Sequence, residues 1–143
     1  MYEMIMMWDW LGFALRWLHV ITAIAWIGSS FYFIALDLGL RKAPDLPAGA
    51  HGEEWQVHGG GFYFIQKYLV SPARMPDELT WFNWESYSTW LSGAALLMLV
   101  YWAGSEMYLI DAAKMELSPL VAILMSGASL MVGWLVYDFL CKS

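Results

Sequence analysis

The residues of this chain best suited to chemistry at neutral pH are three histidines, each in a different setting. His19 lies inside a nearly unbroken apolar stretch, residues 11–37. An ionisable ring in such a segment is costly and usually serves a purpose. It either hydrogen-bonds a neighbouring helix or ligates a metal or haem iron through a ring nitrogen. Arg16, one turn earlier on the same face, is the second candidate for holding such a group. His58 opens onto three glycines, residues 59–61, with Tyr63 and Lys67 shortly after. Glycines permit close backbone approach and expose N–H groups, which suits an anionic ligand. Lys67 lies nine positions after His58, on roughly the same side if the segment is helical, so His58 and Lys67 are the candidate catalytic residues. The other reading of this stretch is a glycine entry into a surface helix, with His58 at lipid headgroups. His51 and the acidic residues Glu53, Glu54, Asp77, Glu78 and Glu85 read as solvated loop charge. The chain contains no Ser/His/Asp arrangement, phosphate loop or zinc spacing.

The elements that must carry these residues are apolar helices. Residues 11–37 would make a helix of roughly 40 Å, enough to cross a bilayer with some tilt. On a helical wheel, Arg16, Thr22, Ala23, Trp26, Ser29, Ser30, Phe33 and Asp37 cluster around His19, and Trp17, Ile21, Ile24, Gly28, Phe31 and Ala35 lie opposite. The first face is expected to meet protein and the second lipid. Residues 88–104 and 119–140 form two further expected spans. Pro119 suits a helix start, and Ala122, Ser126, Ser129 and Gly133 make a small-residue stripe for close helix approach. Between the first two spans, residues 38–87 form a loop that contains an expected interfacial amphipathic helix at about 61–71, ended by Pro72 and Pro76.

Composition agrees with a membrane protein. Of 143 residues, 60% are hydrophobic and 14% charged, against about 25% charged in a soluble domain. A net charge of −6 argues against nucleic acid as a partner. The single cysteine, Cys141, excludes an intrachain disulfide, and no CxxCH haem-attachment motif is present. The N-terminal residues lack the basic region of a cleavable signal, so residues 11–37 read as a retained span. Arg41, Lys42, Lys67 and Arg74 in the long loop place it in the cytoplasm, with the N-terminus periplasmic and the C-terminus cytoplasmic.

Four stretches together resemble one family: RWLHVITAIAWIGSSFYF (16–33), VHGGGFYFIQKYLVSP (57–72), WFNWESYSTWLSGAALL (81–97) and GWLVYDFLCKS (133–143). They are similar to the N-terminal membrane region of bacterial cytochrome-c-linked urate oxidases. That family implies about eight helices followed by a cytochrome c domain, and oxidation of urate to 5-hydroxyisourate with electrons passed to the respiratory chain. The LHV…AWIG pattern also resembles the first helix of other membrane redox families, including haem-binding ones, which favours His19 as a ligand of haem b iron. This chain departs from the family in showing three expected spans and no cytochrome domain.

The sequence thus leads to a single membrane domain over residues 1–143, all-α, with three transmembrane helices and an interfacial helix in the first loop. The expected location is the bacterial inner membrane. Expected partners are the lipid bilayer, other transmembrane helices or subunits, and cytochrome c or another respiratory electron carrier. If the chain is an enzyme it is an oxidoreductase, incomplete alone. The alternative is a non-catalytic small subunit packed against a larger membrane redox complex.

Overall fold

The computed structural model describes residues 2–142. Among them the chain runs through α1 (Tyr2–Gly39), β1 (Ala50–His58), β2 (Gly61–Tyr68), α2 (Trp84–Leu96), a π-helical segment (Leu97–Trp102), α3 (Ser105–Tyr108) and α4 (Pro119–Lys142). It divides into two units, one from Thr22 to Ser86, the other joining the first part of α1, up to Ile21, to the described residues from Tyr87 onward.

α1 has 38 residues, no internal proline and Glu3 in its first turn, and it stops at Gly39 before the prolines at 44 and 47. α4 begins where the sequence puts it. Pro119 occupies its first position, and the Ser118 hydroxyl accepts a 3.4 Å hydrogen bond from the Val121 N–H. Its C-terminal Lys142 pairs with Asp138 at 2.7 Å. α1 and α4 are both long and apolar enough to cross a membrane, and few of their side chains are buried.

Two of the expected elements are overturned, and with them the all-α, three-span architecture. The interfacial helix at 61–71 is instead one arm of an antiparallel hairpin, β1 pairing with β2 from Gly52↔Lys67 to His58↔Gly61. The local chemistry favours this outcome. Trp55, Val57, Phe62, Tyr63, Phe64, Ile65 and Tyr68 are aromatic or β-branched, and such side chains fit a pleated surface better than a helix. Gly59 and Gly60, with φ of +59° and +80°, form a two-residue turn with the left-handed backbone that matches strand twist. The glycine run is therefore the tip of a hairpin and not the entry to a helix.

The second expected span is also absent as a span. Among the described residues the helices long and apolar enough to cross a membrane are α1 and α4, and α2 has 13 residues. It passes into a π-helical segment, in which the Ala103 N–H bonds the Met98 carbonyl five residues back at 2.9 Å. The chain then breaks at Gly104, where a Cβ would stand 2.5 Å from the Val100 carbonyl oxygen.

Each unit has its own small contacts. In the unit containing α4, the stripe is half used: Ala122 is buried and the Trp102 indole N–H donates to Ser126 Oγ at 2.9 Å. Gly133 has nothing within 4 Å of where its Cβ would be. In the unit containing the hairpin, the last turns of α1 carry it. Tyr32 donates to Gln56 Oε1 at 2.6 Å, Lys67 pairs with Asp37 at 2.5 Å, and Arg41 bridges to Glu53 through paired backbone bonds of 2.9 Å.

Gly60 should not tolerate a side chain, although space is open around it, because L-residues in the left-handed region cost about 1–2 kcal/mol. Gly60→Ala is expected to speed amide exchange in β1 and β2 by roughly 5- to 30-fold. Gly127→Ala, inside α4 with equally open space, is expected to leave hairpin exchange unchanged and to add up to about 1 kcal/mol of helix stability. Hydrogen exchange followed by mass spectrometry reads both.

Candidate functional site

His19 is half-buried on α1, and its Nδ1 lies 3.0 Å from Ser92 Oγ on α2, both within one unit. Ser92 is 4% exposed, and its hydroxyl also lies 2.7 Å from the Ser88 carbonyl oxygen and 3.0 Å from that of Thr89. A carbonyl only accepts, so a Ser92 hydroxyl proton given to the helix backbone makes Ser92 Oγ the acceptor toward His19 and puts the histidine's proton on Nδ1, with the lone pair on Nε2; a proton given to Nδ1 reverses both. An Nδ1–H held by an oxygen is the arrangement that orients a histidine for ligation through Nε2.

Gly93 completes the seat. A Cβ there would lie 3.1 Å from His19 Cε1 and 3.6 Å from Nδ1, so only glycine lets the imidazole lie this close to α2. Beside the ring is a groove of about 530 Å³ with an apolar wall of Leu96, Leu97 and Val100, and with Tyr101 and Tyr108 at one side. The two tyrosine rings meet edge-on at 6.5 Å. Arg16 lines the same groove and folds back over Gly12, where a Cβ would come within 2.9 Å of its guanidinium. A nitrogen ligand, an apolar wall and one cation for an acidic substituent are the features that a haem group requires on one side. Met98, Met107 and Met125 are exposed, and none lines this groove. Among the described residues no three His, Cys, Asp or Glu side chains gather as a metal cluster.

The hairpin forms a second groove, of about 720 Å³, between Tyr32 and the strand face that carries Glu54, Gln56, His58, Tyr63 and Ile65. A polar relay crosses its floor. Tyr32 O–H donates to Gln56 Oε1, which turns the Gln56 amide nitrogen toward Glu54 Oε1 at 3.4 Å. Glu54 Oε2 is buried and has no hydrogen-bond partner among the described residues. The carboxyl occupies the space that a Gly39 side chain would take, with a Cβ there only 2.5 Å from Oε2.

The structure separates the expected catalytic pair. Lys67 sits opposite Gly52 while His58 adjoins the turn, six residues away along β1, or roughly 20 Å. Lys67 is engaged by Asp37, and His58 shares its groove with Tyr63 and Glu54 instead. His51 is exposed. Glu54, expected to be solvated loop charge, instead has a buried carboxyl oxygen, and strand alternation puts residues 52, 54, 56 and 58 on one face. Ser92 and Gly93 were legible only as small residues, because their partner lies 73 positions away.

The family model described as Urate oxidase N-terminal matches residues 5–143. No curated protein and no solved structure matches the chain.

The seat of His19 is testable without a cofactor. Ser92→Ala removes the hydrogen-bond partner of Nδ1 and should cost about 1 kcal/mol. Nitrogen NMR of labelled histidine is expected to show the Nδ1–H tautomer for wild-type His19 and loss of that preference in Ser92→Ala. A dominant Nε2–H tautomer in the wild type would show that Ser92 donates to the ring instead.

Proposed function

The chain belongs to the urate oxidase N-terminal family, and from that premise we propose that it is the cofactor-bearing membrane part of a urate-oxidising redox enzyme. The observation that carries this reading is the seat of His19, with Nδ1 hydrogen-bonded to Ser92, the ring against Gly93 and an apolar groove beside it. In this reading His19 ligates haem b iron and Arg16 meets a haem carboxylate. Bound there, the haem supplies one-electron chemistry that connects urate oxidation to a carrier. The protein's part is to orient the imidazole, keep water from the apolar wall and hold the charge of the haem periphery.

Oxidation of urate to 5-hydroxyisourate without direct use of oxygen takes the added hydroxyl from water and releases electrons and protons. The electrons leave toward cytochrome c or another respiratory carrier. α1 and α4 lie in the bacterial inner membrane in this reading, with the basic loop between α1 and α2 cytoplasmic and the N-terminus periplasmic. The exposed apolar faces of both helices meet lipid and the helices of partner subunits in this reading.

Haem content per chain tests the proposal. The wild type, purified after expression with haem supply, should show a reduced-minus-oxidised haem spectrum. His19→Ala is expected to lose most of the haem, and His58→Ala, in the other unit, to retain it. A wild-type chain without haem would favour the non-catalytic subunit reading. Loss of haem in His58→Ala alone would move the ligand to the hairpin.

A further inference from the structure

We propose that the outer face of the hairpin, around Trp55, Val57, Phe62 and Phe64, is a lipid-contact surface that seats the hairpin tip at the boundary of headgroups and acyl chains beside α1. The proposal rests on the reading of α1 as a membrane span, and adds to it a contact made by β-structure.

The register divides the hairpin into two faces. Gly52, Glu54, Gln56 and His58 share the face toward α1, where Gln56 meets Tyr32. The other face is built from the cross-strand pairs Glu53↔Gln66, Trp55↔Phe64 and Val57↔Phe62. It is graded along its length. At the base, the Gln66 amide donates to the Glu53 carboxylate at 3.3 Å. Next come the Trp55 and Phe64 rings, with centroids 4.7 Å apart, and then Val57, Phe62 and the glycine turn. Trp55 and Val57 are each 66% exposed and Phe62 is 77% exposed. Such a patch of contiguous apolar side chains marks a contact surface.

The seating of the hairpin says what the contact is. Successive residues of β1 step back along the helix: Glu53 pairs with Arg41, the Glu54 carboxyl lies against Gly39, and Gln56 accepts from Tyr32. The turn, about 10 Å beyond Gln56, therefore points toward the apolar interior of α1. The polar base sits at the charged end of the helix, where Asp37 pairs with Lys67. Two polarity gradients, one along α1 and one along the outer face of the hairpin, thus run in the same sense. A bilayer around α1 requires that agreement, and a water-soluble partner does not. A second group of rings lies at the same level. Phe33, next to Tyr32, meets Phe82 edge-on at 5.0 Å, and the neighbouring Trp81 is exposed. Aromatic side chains gathered at one level of an apolar helix are the pattern of a membrane interface.

The sheet has two strands, so beyond the Arg41 bridge its outer edges carry unpaired backbone groups among the described residues. Hydrocarbon would leave them unsatisfied, whereas the interface still supplies water. The hairpin accordingly rests at the boundary and does not cross. Acidic residues outnumber basic ones in residues 22–86, so the contact is apolar and needs no anionic lipid.

The test uses the full chain in phosphatidylcholine nanodiscs, with nitroxide labels on single cysteines in a Cys141→Ser background. Val57→Cys and Phe62→Cys report on the outer face, Ile27→Cys on α1 and Ala48→Cys on the loop. Collision with oxygen, which concentrates in lipid, is compared with collision with a water-soluble nickel chelate. The Val57, Phe62 and Ile27 labels are expected to favour oxygen several-fold over the Ala48 label, and anionic phosphatidylglycerol should leave the ratios unchanged. Nickel access at Val57 and Phe62 with Ile27 shielded overturns the proposal and leaves the span standing. Nickel access at Ile27 removes the span and the proposal with it. Labels at Val57 and Phe62 that are immobilised and reached by neither reagent show a protein contact in place of lipid, which also overturns it. Circular dichroism monitors folding, and should Val57→Cys fail to fold, Phe62→Cys decides alone.

Discussion

The constraint on which this structure depends is that its helices cannot be held by a core of their own. Among the described residues the buried hydrophobic side chains are Leu36 and Ala122, and most of the large apolar ones are exposed. Exposed apolar surface on this scale exceeds what monomeric soluble proteins usually show. Stability must then come from backbone hydrogen bonds closed within each helix, and polar side chains must be satisfied locally. The serines obey that rule. Ser29 bonds the Trp26 carbonyl at 2.8 Å, Ser126 that of Ile123 at 2.8 Å, and Ser129 that of Ser126 at 2.7 Å. Such back-bonding lets a hydroxyl sit in an apolar helix without needing water, which is the condition a bilayer would impose.

Against that background, the few polar contacts between elements carry disproportionate weight. Those that seat the hairpin on α1 use Tyr32 and Asp37, five positions apart, with Leu36 buried between them. The Lys67–Asp37 pair is about half-exposed and contributes little as an ion pair on its own. Its role is positional: together with Tyr32 it determines which strand face looks at the helix. A one-residue slip would turn Glu54, Gln56 and His58 outward and bring Trp55 and Val57 against the helix.

Legibility in the sequence followed the range of the interactions. Pro119 marks the start of α4 as expected, whereas α1 begins at Tyr2, well before the expected span at 11–37, because the aromatic and Met-rich residues ahead of it continue the helix without a break. The face of α1 that carries His19 was also legible from its spacing. The hairpin's signal is local, a Gly-Gly pair between β-forming runs, but a half-apolar segment that follows a long apolar helix fits a glycine entry into an interfacial helix equally well. The shortening of α2 was not legible, since its aliphatic run continues through residues 96–100 and nothing in those residue types demands a π-helical turn. Glu54 needed two facts at once, its strand face and the closeness of Gly39, and the second is a tertiary contact.

The two candidate sites differ in what they require from outside the chain. The hairpin groove is lined entirely by residues of one unit, Thr22–Ser86. The His19 seat supplies one ligand nitrogen, and within its own unit His19 is the one histidine, with the exposed methionines lining no part of its groove. A haem held there would need a further ligand from another polypeptide or from solvent. An assembly that covers the exposed apolar faces of α1 and α4 would be its source, so covering those faces and completing the coordination would be two results of a single association.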